Sequence, residues 1–239
     1  SSGIIFTYDL TKPTASVTYP ENNRAYKEIT ELRGEHFDTP YGSTFTVKIT
    51  IRRQDGAYWK GGPPGTSWEA GEFWLSTMTA GIPVVVYSSS WTYNFANVSP
   101  KTSGDKYVVV AKAIDKAGNE QTEFSAPLSS RAFILDYTPP ESIMTSPAGQ
   151  FVNSPPLISG TCRDLPQPYN AGMSTTTAKV QIRIVDLMNA TSPYWGGPAM
   201  GWVADISQSS QTCSPVDGTL LPYPTWQYTE SVSWVSDHE

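Results

Sequence analysis

Charge, cysteine, histidine and long apolar runs are all scarce in this chain. Charged residues fill 16% of its 239 positions where about a quarter is usual, too few for long solvated helices or a coiled coil. No apolar run approaches the roughly 18 residues that a membrane helix needs, and the longest, Ile82-Pro-Val-Val-Val-Tyr87 and Tyr107-Val-Val-Val-Ala111, are strand-sized. Membrane insertion is therefore not expected. Two cysteines, Cys162 and Cys213, cannot scaffold a disulfide mini-protein and lack the CxxC spacing of a zinc or redox site. Two histidines, His36 and His238, stand in no Ser-His-acid, HExxH or phosphate-loop motif, so the chain reads as non-catalytic. A glycosidase using Glu69 and Glu72 is the one enzymatic alternative, because such enzymes need only two opposed carboxylates. The net charge of -6 without clustered cations argues against a nucleic-acid partner.

What is abundant is turn-forming and aromatic residue. Glycine (18) and proline (20) punctuate a chain that is 38% hydrophobic and 12% aromatic, which is enough non-polar area to offset chain entropy and fold. At about 150 residues per domain, this length predicts two domains, with one large all-β domain as the competing count. An internal repeat of about 127 residues favours two. Asp9-Leu-Thr-Lys-Pro13 matches Asp136-Tyr-Thr-Pro-Pro140, and Gly34 with Asp38 matches Gly160 with Asp164. Further on, Phe45, Val47, Ile49 and Ile51 fall on Ala178, Val180, Ile182 and Ile184, Tyr58-Trp59 on Tyr194-Trp195, and Trp91-Thr-Tyr93 on Trp226-Gln-Tyr228.

In the first copy, residues 14–19, 29–37, 44–53, 91–98, 106–115 and 131–136 read as strands. The third alternates Phe45, Val47, Ile49 and Ile51 on one face with Thr46, Lys48, Thr50 and Arg52 on the other, predicting one buried and one wet face. Two antiparallel sheets covering each other's apolar faces make a β-sandwich. Residues 54–90 are too long for a structureless loop, so one or two hairpins extending a sheet are expected there. The tryptophans of this insertion and its counterpart have two readings: they shield the core, or Trp59, Trp68, Trp195 and Trp202 stack on a sugar. Asp115-Lys-Ala-Gly-Asn119 also has two: a self-bonded turn, or a calcium site using Asp115 and Asn119 with Asp38 or Asp136. Proline at the Asp136-Tyr-Thr-Pro-Pro140 junction predicts a stiff connection.

The order of Asp-x-Thr-x-Pro, Val152-Asn-Ser-Pro-Pro-Leu-Ile-Ser-Gly-Thr161, Tyr-Trp before a Gly-rich turn, and Tyr107-Val-Val-Val-Ala-Lys-Ala-Ile-Asp-Lys-Ala-Gly-Asn119 resembles the tandem bacterial immunoglobulin-like repeats of very long surface or secreted proteins. The likeness covers nearly the whole chain, apart from the long Trp-rich insertion. It implies tandem immunoglobulin-like β-sandwiches, an extracellular or bacterial cell-surface location, and calcium at some junctions. Given that location, Cys162 and Cys213 are expected to form a disulfide, with two buried thiols as the alternative. Two sequons, Asn97-Val-Ser99 and Asn189-Ala-Thr191, matter only in a glycosylating host.

The domain expectation is that residues 1–9 are the last strand of a preceding repeat, 10–136 a complete repeat, and 137–239 a second repeat lacking its last two strands. A start at Ser1, without Met or a signal-like run, reads as a processed piece. The expected function is a structural or stalk segment whose partners are neighbouring repeats of the same polypeptide. A C-terminal fragment or another copy would complete the second sandwich. The alternatives are a carbohydrate-binding or adhesive module for a surface glycan, and a filament subunit assembled by strand exchange.

Overall fold

The computed structural model describes residues 3–38, 44–62, 68–77, 79, 83–149, 156–165, 180–215 and 225–234, and of Phe45 and Pro215 the backbone only. Residues 152–155, Ala178 and His238 from the sequence motifs lie outside the described residues. The chain is all-β and divides between Thr138 and Pro139 into two compact units.

Unit 1 is built on its longest strand. Alternation along β9 (Asp105–Asp115) buries Tyr107, Val109, Ala111 and Ala113, so one face is core throughout. This strand lies between β4 (Thr44–Arg53) and β10 (Ser130–Leu135), both antiparallel to it. The rest of this six-stranded sheet is β2 (Arg24–Tyr26) beyond β10, and the hairpin of β5 (Tyr58–Trp59) and β6 (Trp68–Glu69) beyond β4. The insertion thus extends the sheet by a hairpin. A second sheet runs in the order β1 (Thr14–Ala15), β3 (Glu31–Phe37), β8 (Ser90–Asn94), β7 (Val85–Val86). Leu32, Trp91 and Tyr93 of this sheet share one core with Val47, Ile49, Ile51, Val109 and Phe133 of the other. Phe95, Tyr107 and Phe133 close one part of it, with ring centroids 5.4–5.5 Å apart. Two sheets packed through one core form a β-sandwich arrangement.

The outer face of β4 is drier than its alternation suggests. Thr50 is only 3% exposed and Thr46 only 8%. The insertion runs beside this strand: Leu75 exchanges both backbone hydrogen bonds with Ile49 (2.7 and 2.9 Å), and neighbouring Trp74 lies 4.7 Å from the ammonium of Lys112. Lys112 pairs across the sheet with Lys48, on that same outer face.

Unit 2 contains β11 (Glu141–Ser146), β12 (Ile158–Arg163), β13 (Gln181–Ile182), β14 (Tyr194–Trp195), β15 (Trp202–Val203), β16 (Gln211–Thr212), β17 (Ser214–Pro215) and β18 (Thr225–Tyr228). Its four-stranded sheet runs β11-β12-β18-β17, the order of β1-β3-β8-β7, while β13 pairs with β16 and β14 with β15. The same contacts recur at the repeat positions. Ile182 pairs with Gln211 as Ile49 does with Leu75, and Val185 bridges Tyr194 as Arg52 does Tyr58. Trp59 Nε1 donates to Tyr93 Oη (2.6 Å), and Trp195 Nε1 to Tyr228 Oη (3.1 Å). The other indole bond differs between the units: Trp91 Nε1 donates to Ser16 O (3.0 Å), whereas Trp226 Nε1 donates to Thr161 O (3.2 Å) on β12, the counterpart of Glu35.

Under each of the last two indoles lies a glycine. A Cβ on Gly34 would stand 1.9 Å from Ser16 O and 2.3 Å from Trp91 Nε1, and one on Gly160 would stand 2.1 Å from Ile143 O and 2.3 Å from Trp226 Cζ2. Backbone crowds both, so Gly34→Ala and Gly160→Ala are each expected to cost about 3 kcal/mol or more, an overpacking penalty. Denaturant unfolding followed by hydrogen exchange should show the first loss confined to unit 1 and the second to unit 2.

Candidate metal centre

Three carboxylates converge at one end of unit 1. Asp115 is the last inward residue of β9 and is buried, while Asp38 directly follows β3. Pairing of Thr14 with Phe37 brings the entering chain, and with it Asp9, to the same end. One oxygen from each of Asp9, Asp38 and Asp115 lies within 4.8 Å of the others, an arrangement that can hold a metal ion. Thr44 stands opposite Asp115 across the β4–β9 ladder, and its hydroxyl is buried with no hydrogen-bond partner. Cross-strand partners share a face of the sheet, so this is a further neutral oxygen beside the acids.

Local hydrogen bonds set the acids in place. Gly118, at a φ of +92°, turns the chain so that the Asn119 N–H reaches Asp115 Oδ1 (2.7 Å) and the Asn119 amide nitrogen reaches Asp115 Oδ2 (2.7 Å). That amide nitrogen also donates to Asp9 O (3.0 Å), tethering the entering segment to the turn. Asp9 Oδ1 accepts from Thr11 N (2.9 Å) and from the Thr11 hydroxyl. Burial pushes the Asp115 carboxyl up, but the Asn119 amide and the backbone N–H groups of Asn119, Gly118 and Ala117 outweigh it and hold it below the ordinary aspartate value. No ion pair among the described residues involves Asp9 or Asp115. The donors are all hard oxygens, which suits magnesium, calcium or manganese better than zinc or copper.

Of the four residues named from sequence for a cation, Asp38 and Asp115 meet. Asn119 holds Asp115 by donation. Asp136 is elsewhere, because Leu135 pairs with Asp105, at the far end of β9 from Asp115. At 3.3 Å per residue, that is roughly 30 Å away. There Asp136 accepts from Ser103 Oγ (3.1 Å), Thr138 N (3.2 Å) and Thr138 Oγ1 (2.9 Å). The missed residue is Asp9, and the repeat pointed to it, since Asp9-Leu-Thr11 and Asp136-Tyr-Thr138 are the same turn one repeat apart.

Of the four tryptophans named as sugar platforms, two are buried and two are half-buried. Trp59 and Trp195 are 0% and 1% exposed. Trp68 is half-buried 5.5 Å from Trp59, with the Arg53 guanidinium 4.8 Å from its ring and its Nε1 donating to Pro100 O (3.1 Å). Trp202 repeats this at 5.5 Å from Trp195, donating to Ser233 O (2.8 Å). Glu69 is paired with Lys60, and Glu72 is exposed.

The expected disulfide is not formed. Cys162 and Cys213 are both buried thiols outside any disulfide, and burial pushes both thiols up. Sheet geometry explains it: Ser159 and Ser214 flank Gln227 on opposite sides, so β12 and β17 are two strands apart, with Cys162 displaced along β12 as well. The resulting separation of roughly 15 Å far exceeds the ~7 Å that a disulfide spans between Cα atoms. No helix among the described residues is long and apolar enough to cross a membrane. The chain matches no protein-family model, and no curated protein matches it.

A thermal scan with chelator, then with added calcium, magnesium or zinc, tests the acid cluster. Calcium or magnesium should raise the midpoint of unit 1 by several degrees and zinc should not, as ligand linkage requires of a site present only in the folded state. Asp9→Asn with Asp38→Asn should remove the rise, and identical transitions in every condition would exclude a cation there.

Proposed function

We propose that the chain is a non-catalytic, tension-bearing stalk segment of a long bacterial surface or secreted protein built from tandem immunoglobulin-like repeats. The observation that carries this reading is the pairing of β2, which follows the entry strand β1, with the leaving strand β10 of unit 1. β2 runs parallel to β10, with Arg24, Ala25 and Tyr26 beside Phe133, Ile134 and Leu135. Asn23 N donates to Ala132 O (2.6 Å), Asp136 N to Tyr26 O (2.9 Å), and Ala132 N to Asn22 Oδ1 (2.9 Å). The Arg131 guanidinium adds bonds to Thr18 O (2.8 Å) and Pro20 O (3.0 Å). Pulling the two ends of the unit apart loads parallel neighbours along their length. Their bonds must then yield together rather than one at a time.

Two further features support a tandem array. Ile4, Ile5, Phe6 and Tyr8 are 79–96% exposed, yet Phe6 and Tyr8 correspond to Phe133 and Leu135, which are buried in β10. Residues 1–9 read accordingly as the last strand of a preceding repeat. The acid cluster draws Asp9 from the entering segment, and calcium fits it, since calcium takes 6–8 hard oxygens in irregular geometry. Asp9, Asp38 and Asp115, with Thr44 beside them, would hold it, tying the entry to the ends of β3 and β9.

Single-molecule stretching of the full chain tests the reading. Unit 1 should yield in one step, releasing roughly 400 Å at ~3.4 Å per freed residue. Ala25→Pro, which disrupts the β2–β10 pairing, should lower the rupture force more than Gly34→Ala does, even where Gly34→Ala costs more equilibrium stability. Forces that simply track lost stability in the two variants would refute a load-bearing role for the strand pair.

A further inference from the structure

The register of β4, β9 and β10 gathers cations that are scattered in the sequence. Cross-strand partners share a face of a sheet, so the outer face of unit 1's six-stranded sheet can be read row by row. Arg52, Val108 and Ala132 form one row, Thr50, Val110 and Ser130 the next, and Lys48 with Lys112 another. Lys106 stands opposite Ile134 on the same face, beyond Arg52. Lys48, Arg52, Lys106 and Lys112 thus share one face of a chain whose net charge is -6.

Charge on this face is not balanced. Lys48 and Lys112 stand directly opposite each other, which like charges make unfavourable. Glu120 pairs with Lys112 (2.7 Å), while neither Lys48 nor Arg52 belongs to an ion pair among the described residues. At 3.3 Å per residue, Lys48 and Arg52 are roughly 13 Å apart along β4. Thr46 and Thr50 flank Lys48, and their buried hydroxyls have no hydrogen-bond partner among the described residues. Half-buried Val108, Val110, Ala132 and Ile134 make the neighbouring surface apolar. The Trp74 ring lies 4.7 Å from the Lys112 ammonium, and Phe124, 41% exposed, adjoins that ring at 5.9 Å.

We infer that this face binds a linear polysaccharide of carboxylated sugars, a polyuronate. Such a chain carries both chemistries for which the face has partners. Its carboxylates complement the charges of Lys48 and Arg52, and the C–H faces of its rings suit the valine rows and the exposed Phe124 ring. A nucleic acid fits less well. Its affinity depends on neutralising closely spaced phosphates, about six to ten of them in a strongly bound site. Two unmatched cations separated along one strand suit a polymer with one charge per sugar. The inference concerns unit 1 alone and holds whether or not the chain bears tension.

An NMR titration of the full chain with a galacturonate pentamer tests it. Backbone amides of residues 48–52, 106–112 and 130–134 should shift, and raising the ionic strength from about 0.05 M to about 0.5 M should weaken binding severalfold by screening. Lys48→Gln with Arg52→Gln should weaken it about tenfold. Removing the Lys48 charge also relieves its contact with Lys112, so the melting midpoint should not fall, which separates loss of binding from loss of fold. Lys27→Gln with Lys116→Gln makes the same change of net charge elsewhere in unit 1 and should leave the affinity unchanged. The inference is overturned if the pentamer at millimolar concentration shifts no amide on this face, or if a neutral galactose pentamer binds equally well. Tighter binding of a pentanucleotide or of linear polyphosphate would overturn it too, as would an equal loss of affinity in the Lys27 and Lys116 variant.

Discussion

The indole of Trp91 lying on Gly34 and bonded to Ser16 O ties three strands of one sheet together, and the rest of unit 1 depends on that fit. It sets β8 and β1 against β3 with no room for a side chain between ring and backbone. Once that register is set, Thr14 pairs with Phe37, so the entering chain is delivered to the end of β3 and Asp9 to Asp38. Unit 2 repeats the arrangement with Trp226 over Gly160, the nearest carbonyl oxygen being that of Ile143, the counterpart of Ser16. A contact kept at matching positions of two units with different loops is a constraint on the architecture rather than on one loop.

Both ends of unit 1 are secured by an aspartate, in different ways. Asp136 accepts three hydrogen bonds from Ser103 and Thr138, which satisfy it locally where the chain leaves β10. Asp9 forms the same turn with Thr11 but stands among two other carboxylates, where mutual repulsion must be met by hydrogen bonds or by a cation. Load entering through residues 9–26 therefore meets the acid cluster first, then the β1–β3 ladder, and then the parallel β2–β10 pairing.

The aromatic insertion has one structural role that repeats. Trp59 and Trp195 each donate to a buried tyrosine, and Trp68 and Trp202 each close over them while donating to a backbone carbonyl. Trp59 and Trp195, used in this way, present no open face to a ligand. The hydrogen-bonding ends of Trp59 and Trp195 are satisfied inside their units, which is what permits such large side chains to be buried.

Alternation and repetition in the sequence determined the all-β class, the inward residues of β4 and the paired positions of the two units, because period-two burial is a local property of a strand. The two-glycine, two-tryptophan correspondence was equally legible, since each pair keeps its spacing from neighbouring strands. The short strand β2 was not, because three residues carry no periodicity and its partner lies over a hundred positions away. The separation of Cys162 from Cys213, the burial of Trp59 and Trp195, and the presence of Asp9 rather than Asp136 beside Asp115 were decided only by tertiary structure. Each depends on which strands become neighbours and on which end of a strand a residue occupies, and residue spacing along the chain does not encode those distances.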